Sequence, residues 1–341
     1  METSIIDSVY RLMKHTLCLA LLPFSVHAQN TLEIPRTVHG FPDFQGFWNN
    51  ASQTPIQRPP TLGEKGSYTN EEALALQLSA QQSDDEKAAP LDPNRAPPQG
   101  GGVILFQADE NFANSRINIT QIDGEYRTSL IVEPADGRYP FAENGASKDI
   151  FGQWAEQGAG PFDGPEIRSQ MERCLHVGAQ MPPMMAWAYN ANYQIVQTED
   201  YMMLMSEMVH DVRIIPIGKE GENKARSQPK IPRWFGNSTG SWEKDIFVVK
   251  TTGFHPQQSN FFMKSSDQFE VEEYFQLISS DEIFYRYTVT DPVIYDEPFS
   301  IEMQMLRKND GERIYEFACH EGNYSLPSIL AGARRAELDE R

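Results

Sequence analysis

QFEVEEYFQLISSDEIFYRYTVTDPVIYDEPFSIEMQML, residues 268–306, is the stretch that decides the fold class. It contains three runs rich in β-branched and aromatic residues, and the turn sequences SSDE and DPVIYDEP separate them. Runs of this kind with short connections are typical of neighbouring antiparallel strands. Because no helical pattern lies between the runs, we expect a β-meander and not a βαβ fold.

The same pattern extends in both directions along the chain. Including the three runs of the first stretch, we predict nine strands in this half of the chain, at 192–198, 200–209, 212–217, 238–243, 245–252, 268–278, 282–291, 299–306 and 313–319. Earlier strand signals lie at 102–108, 115–122 and 125–134, and Asp123-Gly124 is a strong hairpin turn between the last two. We therefore predict a mainly β protein, an antiparallel up-and-down sheet that curls into a calycin-like barrel.

Polar residues interrupt both faces of these strands. In the run 268–278, Glu273 shares a face with Phe269, Val271 and Phe275. A barrel of eight or more strands can hold one small ligand and tolerate polar groups inside, so the pattern favours a hollow cup. A solid core, in which the methionines pack and the polar residues face water, fits the pattern equally well.

The N-terminus resembles a secretory leader. Met13-Lys14-His15 precedes the apolar run TLCLALLPF, and small residues at Val26 and Ala28 suit cleavage after Ala28. We expect a secreted, periplasmic protein. The apolar run is too short to cross a bilayer, so a stable membrane anchor is the weaker alternative.

Cleavage would leave two cysteines, Cys174 and Cys319. In an oxidising compartment two such residues usually pair, so we predict a Cys174–Cys319 disulfide. Two separate buried thiols are the alternative. If the disulfide forms, the cysteine of Cys-His-Glu at 319–321 is structural and is no nucleophile.

The predicted elements divide the chain into four segments. They are a signal peptide at 1–28, a Pro-rich N-terminal arm at 29–101, a β-barrel domain at 102–335 and a C-terminal tail at 336–341. The arm should wrap the barrel, with one helix capped by Asn70 and the aromatic patch 41–48 docked as an edge strand. Two further short helices are predicted near 148–156 and 165–174.

Charge argues against several partners. The 341 residues include 29 Lys and Arg against 48 Asp and Glu, a net charge of −19. This field repels phosphate backbones, and the longest basic cluster is Arg334-Arg335. We therefore expect no binding to nucleic acid.

Several segments together resemble a widespread group of exported bacterial proteins of unassigned function. They are RTSLIVEPADGRYP, ERCL, YNANYQIVQT, DVRIIPI, RWFGNSTGSWEKDIFVVKTTGF and YEFACHEGNY, and the resemblance covers roughly residues 125–335. The resemblance implies export and a β-rich fold, and it implies no reaction.

Familiar catalytic motifs fit the chain poorly. GNSTG at 236–240 matches the G-x-S-x-G nucleophile motif, but a hairpin follows Ser238 where that motif needs a helix. His320-Glu321 begins like H-E-x-x-H, yet position 324 is Tyr, and adjacent strand residues face opposite ways. We predict no cofactor and no dedicated metal site.

Acid–base chemistry remains open. If the strands 282–291, 299–306 and 313–319 are neighbours, Tyr287, Glu302 and Tyr315 approach one another, with His320 at the rim. A carboxylate in an apolar cup beside a phenol or imidazole suits proton transfer. Local packing of the tyrosines beside solvated carboxylates is the simpler explanation.

A second set of side chains suits ligand binding. Arg213 can bind a carboxylate with two hydrogen bonds, and methionines make an adaptable apolar lining. The candidates are Arg213, Tyr285, Gln304, Trp242, Met203 and Met205. The alternatives are a surface ion pair for Arg213 and ordinary core packing for the methionines.

We therefore predict capture of a hydrophobic small molecule in the barrel. The alternative is a cofactor-independent lyase, isomerase or hydrolase that uses Glu, Tyr and His groups in the same cup. A structural partner at the cell envelope is a third possibility, resting on the Pro-rich arm alone.

Overall fold

The computed structural model of the chain describes residues 34–88, 118–175, 182–186, 191–218, 231–260, 262–309 and 311–339. The predicted signal segment and the strand predicted at 102–108 lie outside these ranges. The described strands are β1 (Gly46–Asn49), β2 (Ser67–Tyr68), β3 (Gln121–Ile122), β4 (Glu125–Arg127), β5 (Ile131–Glu133), β6 (Asn192–Gln197), β7 (Tyr201–Ser206), β8 (Val212–Pro216), β9 (Asn237–Glu243), β10 (Ile246–Thr252), β11 (Glu270–Ser279), β12 (Glu282–Thr290) and β13 (Phe299–Arg307). The described helices are α1 (Asn70–Ala88), α2 (Ile150–Glu156) and α3 (Ser325–Asp339).

Nine of the described strands form a nearly closed antiparallel barrel, which confirms the predicted fold class. Their order around the sheet is β8-β7-β6-β1-β13-β12-β11-β10-β9, and β5 adds to the start of β13. Within the meander each strand pairs with the next strand along the chain, from β6 to β8 and again from β9 to β13. The strand predictions between 192 and 306 are confirmed to within two or three residues at each end.

The seam of the barrel lies between β8 and β9. Because adjacent strands of the nine-strand sheet are antiparallel, an odd number of them makes the first and last strands run the same way. They meet in a parallel bridge between Ile217 and Gly240, where the Gly218 N–H donates to the Gly240 carbonyl at 2.8 Å. A Cβ on Gly240 would lie 2.3 Å from the Phe247 ring and 3.2 Å from Ile215, so glycine permits this close approach.

Alternation along each strand places one row of side chains inside the barrel. β11 contributes Val271, Glu273, Phe275 and Leu277, all of them buried. The inward-facing apolar side chains of the barrel strands form one cluster. Connecting segments add Phe44, Leu130, Met184, Met185, Phe254, Met263 and Tyr295 to it. The interior is thus mainly apolar with a few polar exceptions.

The N-terminal arm builds part of the barrel, contrary to the prediction that it wraps the outside. β1 pairs with β6 on one side and with β13 on the other, so it is a central strand of the sheet and not an edge strand. Trp48 is fully buried, donates its Nε1–H to the Phe44 carbonyl at 2.8 Å and lies 4.2 Å from the Arg307 guanidinium. A short aromatic strand remote in sequence fills the gap that the meander leaves.

Local signals explain the smaller elements. Thr69 caps α1, where the expectation was Asn70: its hydroxyl accepts from the Glu72 N–H at 3.2 Å, and the Glu72 carboxylate accepts from the Thr69 N–H at 2.8 Å. This reciprocal pair is a capping box. The Asp123-Gly124 hairpin is confirmed, with positive φ at both residues, and joins β3 to β4 in a three-stranded sheet with β2.

The strand predicted at 313–319 is wrong. β13 already has β12 and β1 as neighbours, so the barrel offers this segment no edge to pair with. The segment runs as an extended strap, held where the Tyr315 N–H donates to Glu207 at 2.9 Å. α3 follows, unpredicted, and near 165–174 the structure has only a short turn of 3₁₀ helix, Pro165–Ile167.

The predicted disulfide is confirmed. Cys174 and Cys319 are bonded with their Cα atoms 5.6 Å apart, across a sequence separation of 145. The bond ties the C-terminal strap to the segment that follows α2. Among the helices of the described ranges, none has the length and apolar character needed to cross a bilayer.

We expect Gly240→Ala to lower the free energy of unfolding by about 1–3 kcal/mol, because the new methyl group meets the rigid, buried Phe247 ring at the seam. Urea unfolding followed by tryptophan fluorescence would measure the loss. Gly332→Ala in α3 is the matched control, since a Cβ there meets nothing within 4 Å. Equal stability of the two variants would show that the seam does not need this glycine.

Candidate functional site

A buried ion pair lies inside the barrel near the seam. Glu273 of β11 is fully buried, and Arg213 of β8 is 4% exposed. Arg213 Nη1 donates to Glu273 Oε1 at 2.9 Å, and Nη2 donates to Oε2. The two-point geometry fixes both side chains and compensates the charge that burial would otherwise disfavour.

The guanidinium of Arg213 also bonds across the seam. Its Nε donates to Ser238 Oγ of β9 at 2.9 Å, and Nη2 donates to Thr251 Oγ1 of β10 at 2.8 Å. The Ser238 and Thr251 hydroxyls are 3.0 Å apart and share a hydrogen bond. One side chain of β8 thereby reaches three strands on the far side of the seam. Ser238 of the G-x-S-x-G motif serves this network from within a strand and not from a turn.

Tyr285 extends the network along β12. Its hydroxyl donates to Glu273 Oε1 at 2.8 Å and accepts from the Met184 N–H at 3.0 Å. Burial raises the pKa of Tyr285 well above its ordinary value, and the negative charge of Glu273 raises it further. The phenol therefore stays protonated and acts as a hydrogen-bond donor.

Tyr287, two residues on, faces the same way but differs in one respect. Its ring centroid lies 5.6 Å from that of Tyr285, and the side chain is fully buried. Its hydroxyl has no hydrogen-bond partner among the described residues. Burial raises the pKa of Tyr287 well above its ordinary value, with the neighbouring Tyr139 and Tyr295 adding to the effect. An unpaired buried hydroxyl costs stability, so its position calls for an explanation.

A short segment of the chain, Pro182 to Met185, plugs the barrel beside these tyrosines. Met184 and Met185 are buried and pack in the core cluster. Apart from the Met184 N–H bond to Tyr285, Asn50 Nδ2 donates to the Met185 carbonyl at 3.2 Å and Gln258 Nε2 donates to the Pro182 carbonyl at 2.9 Å. We call residues 182–185 the plug.

The side chains that hold the plug have unused polar atoms. Asn50 Oδ1 and Gln258 Oε1 are buried and have no partner in the part of the chain that the structure describes. Asn50 Nδ2 also lies 3.7 Å from Met303 Sδ of β13, and Met303 is paired with Tyr285 of β12, two residues from Tyr287. The unpaired oxygens of Asn50 and Tyr287 thus belong to one buried region next to the plug.

The opposite end of the interior is filled with apolar side chains. Trp242 stacks on Phe41 with ring centroids 4.7 Å apart and packs against the core. Nearby, a gap admits no water-sized sphere, and it is lined by Phe44, Ile195, Met202, Leu204, Phe247 and Phe275. This end of the barrel is a packed core and not an open cup.

The structure separates the predicted acid–base residues. Glu302 lies on the opposite face of β13 from the inward row, where it accepts hydrogen bonds from Arg286 at 2.7 Å and Arg127 at 3.2 Å. Tyr315 is 74% exposed on the strap, and His320 is exposed in the turn after it. Of the four, only Tyr287 faces the interior, because alternation puts position 302 outside and the strand at 313–319 does not form.

The predicted ligand-binding residues divide in the same way. Arg213 and Tyr285 are brought together, since both bond Glu273. Gln304 faces outward and donates to Glu282 at 2.6 Å. Met203 and Met205 are half-buried on the outer face of β7, while Met202 and Leu204 face inward. Trp242 is inside, at the packed end.

Sequence reasoning placed Glu273 among apolar neighbours but assigned it no role. A carboxylate in an inward row is itself a signal, since it demands a buried partner, and the structure identifies that partner as Arg213. Asn50, Gln258 and Met184 had no comparable signal, because each acts through loop geometry. No group of three or more His, Cys, Asp or Glu residues within the described ranges is placed to hold a metal ion.

Comparison of the chain with protein-family models, curated proteins and solved structures found no match. The site must therefore be interpreted from its geometry alone.

We expect opposite effects from two adjacent Tyr→Phe changes. Tyr287→Phe removes an unpaired buried hydroxyl, so stability should stay the same or rise. Tyr285→Phe breaks the bonds to Glu273 and Met184 and should cost about 1–3 kcal/mol. Urea unfolding of both variants is the measurement, and each serves as the control for the other. A loss at Tyr287 as large as that at Tyr285 would mean that its hydroxyl has a partner.

The ion pair should show strong coupling in a double-mutant cycle. Arg213→Met leaves a buried carboxylate uncompensated and should cost about 3–5 kcal/mol, whereas adding Glu273→Gln should recover part of that loss. The exposed Arg36–Asp245 pair is the control, for which much weaker coupling is expected. Additive effects at Arg213 and Glu273 would contradict a charge-paired site.

Proposed function

We propose that this protein is exported to the periplasm and binds a hydrophobic small molecule inside its barrel. One observation carries the proposal: a mainly apolar interior holds the Tyr287 hydroxyl, unpaired among the described residues, next to the network of Arg213, Glu273 and Tyr285. Binding sites for small molecules combine apolar walls with a few fixed polar groups in this way. A ligand oxygen that accepts from Tyr287 would repay the cost of burying that hydroxyl.

Export has separate support. The basic and apolar pattern before Ala28 is typical of a leader, and the Cys174–Cys319 disulfide suits an oxidising compartment. The negative charge is compatible with a periplasmic location and unfavourable for nucleic acid.

Binding fits the interior better than acid–base catalysis does. The raised pKa values of Tyr285 and Tyr287 keep both phenols protonated, so they serve as donors and not as bases. Glu273 is engaged by Arg213 and Tyr285 on both of its oxygens. Glu302 and His320, the acid–base candidates of the alternative enzyme, lie outside the interior.

Native mass spectrometry of protein isolated from the periplasm of its own bacterium would test the proposal. We expect a retained, solvent-extractable molecule and a lower occupancy in Tyr287→Phe. Tyr324→Phe, at a tyrosine that is 78% exposed, is the matched control and should keep full occupancy. Ligand-free protein, or equal occupancy in both variants, would overturn the assignment.

The enzyme alternative makes a different prediction with the same samples. Extraction would yield a product distinct from the retained molecule, and Glu302→Gln or His320→Ala would abolish its formation. A binder should keep its ligand unchanged in both variants.

A further inference from the structure

The charges inside the barrel are already compensated. Arg213 uses all three of its guanidinium nitrogens on Glu273, Ser238 and Thr251. Both oxygens of Glu273 are taken, one by Arg213 and the other shared by Arg213 and Tyr285. A charged ligand would find no free counter-charge in this network and would pay the full desolvation cost. The network therefore selects against anions and cations alike.

Displacement of the plug would make room for a ligand. The gap among Phe44, Phe247 and Phe275 admits no water-sized sphere, so the packed end offers no space. The plug, in contrast, forms no strand pairing, and side chains bond its backbone at three points: Tyr285, Asn50 and Gln258. All four of its residues are buried, and the two longest side chains are methionines, which are unbranched and adaptable in packing.

Withdrawal of the plug would expose a defined set of polar atoms in the part of the interior that the plug fills, which we call the barrel mouth. The donors are the Tyr287 hydroxyl and the amide groups of Asn50 and Gln258. The acceptors are the Tyr285 hydroxyl oxygen, Asn50 Oδ1 and Gln258 Oε1, the last two of which lack partners among the described residues even with the plug in place. All of these groups are neutral. Tyr285, Asn50 and Gln258 bond the backbone of the plug, and the Tyr287 ring lies 5.6 Å from that of Tyr285.

We infer that the ligand is a neutral, largely apolar molecule with a carbonyl or hydroxyl oxygen at one end, and that it replaces Met184 and Met185. The oxygen accepts from Tyr287, and the apolar body occupies the space of the two methionine side chains. The plug is thus an internal competitor, whose stability sets the apparent affinity. This inference rests on the proposed binding function and adds the ligand class and its regulation.

Three fluorescent dyes test the ligand class on the full, disulfide-bonded chain. They are a neutral ketone, propionyl-dimethylaminonaphthalene; a neutral amine without a carbonyl, N-phenyl-naphthylamine; and the anion anilinonaphthalene sulfonate. We expect the ketone to bind and the sulfonate not to bind. Tyr287→Phe should lower the affinity for the ketone by about two- to tenfold, which is the contribution of one hydrogen bond, and should leave the affinity for the amine unchanged.

Truncation of the plug tests the competition. Met184→Ala/Met185→Ala should tighten ketone binding by roughly tenfold or more, because a weakened plug raises the fraction of binding-competent protein. Met202→Ala is the matched control: this buried methionine lies at the packed end, so its loss loosens the core without freeing the mouth. Near-ultraviolet circular dichroism would verify folding, and Met185→Ala alone replaces the double variant if that variant does not fold.

Each outcome has one meaning. Sulfonate binding equal to that of the ketone, or unchanged affinity in the plug variants, would overturn the inference. The binding function itself would survive that result if native mass spectrometry still finds a retained ligand. Failure of all three dyes together with ligand-free protein would remove both.

Discussion

The ion pair between Arg213 and Glu273 is the interaction on which the barrel depends. A nine-strand antiparallel sheet must close with a parallel seam, and within the described ranges the backbone contributes one bridge there, at Ile217 and Gly240. Parallel pairing needs a matched register that so short a contact cannot define alone. Arg213 adds that register with side-chain bonds from β8 to Ser238 and Thr251, and Glu273 holds the guanidinium in place.

The same pair explains the charged cluster in an interior that is mainly apolar. Once Glu273 and Arg213 are buried, their remaining lone pairs and N–H groups need partners, because an uncompensated charge in the core is costly. Tyr285, Ser238 and Thr251 fill that need. The Tyr287 hydroxyl bonds none of these groups and has no partner in the described part of the chain, which separates it from the structural network.

Much of the fold was predictable because the meander strands have local signals. Alternation and turn residues located β6 to β13 and the Asp123-Gly124 hairpin, and the cysteine count predicted the disulfide. The position of β1 could not be predicted in the same way. This strand has four residues, and it is central in the sheet because it fills the gap between β6 and β13. The segment 313–319 failed for the converse reason: its residues suit a strand, but β13 has no free edge for it.

The candidate site was predictable only in part. The alternation of side chains along each strand decides which of the predicted residues lie inside the barrel and which lie outside. Arg213, Tyr285 and Tyr287 lie in inward rows, whereas Glu302, Gln304, Met203 and Met205 occupy the other face of their strands. Mixed composition on both faces hid this difference, since Glu302 on the outer face of β13 is itself buried beneath Arg286 and Arg127. The plug was beyond sequence reasoning, because Asn50 and Gln258 recognise its backbone and not its side chains.

A buried ion pair is weak evidence of a need for stability, since well-packed apolar residues of similar volume are often as stable. Its presence here must be explained by something that apolar residues cannot supply. Register at the seam is one such function, and a neutralised polar wall beside the plug is the other. An apolar wall would hold Met184 and Met185 as firmly but would leave the Met184 N–H unpaired and would offer a ligand oxygen no orientation. The arrangement that closes the barrel therefore also fixes the polar groups on which the proposed binding site rests.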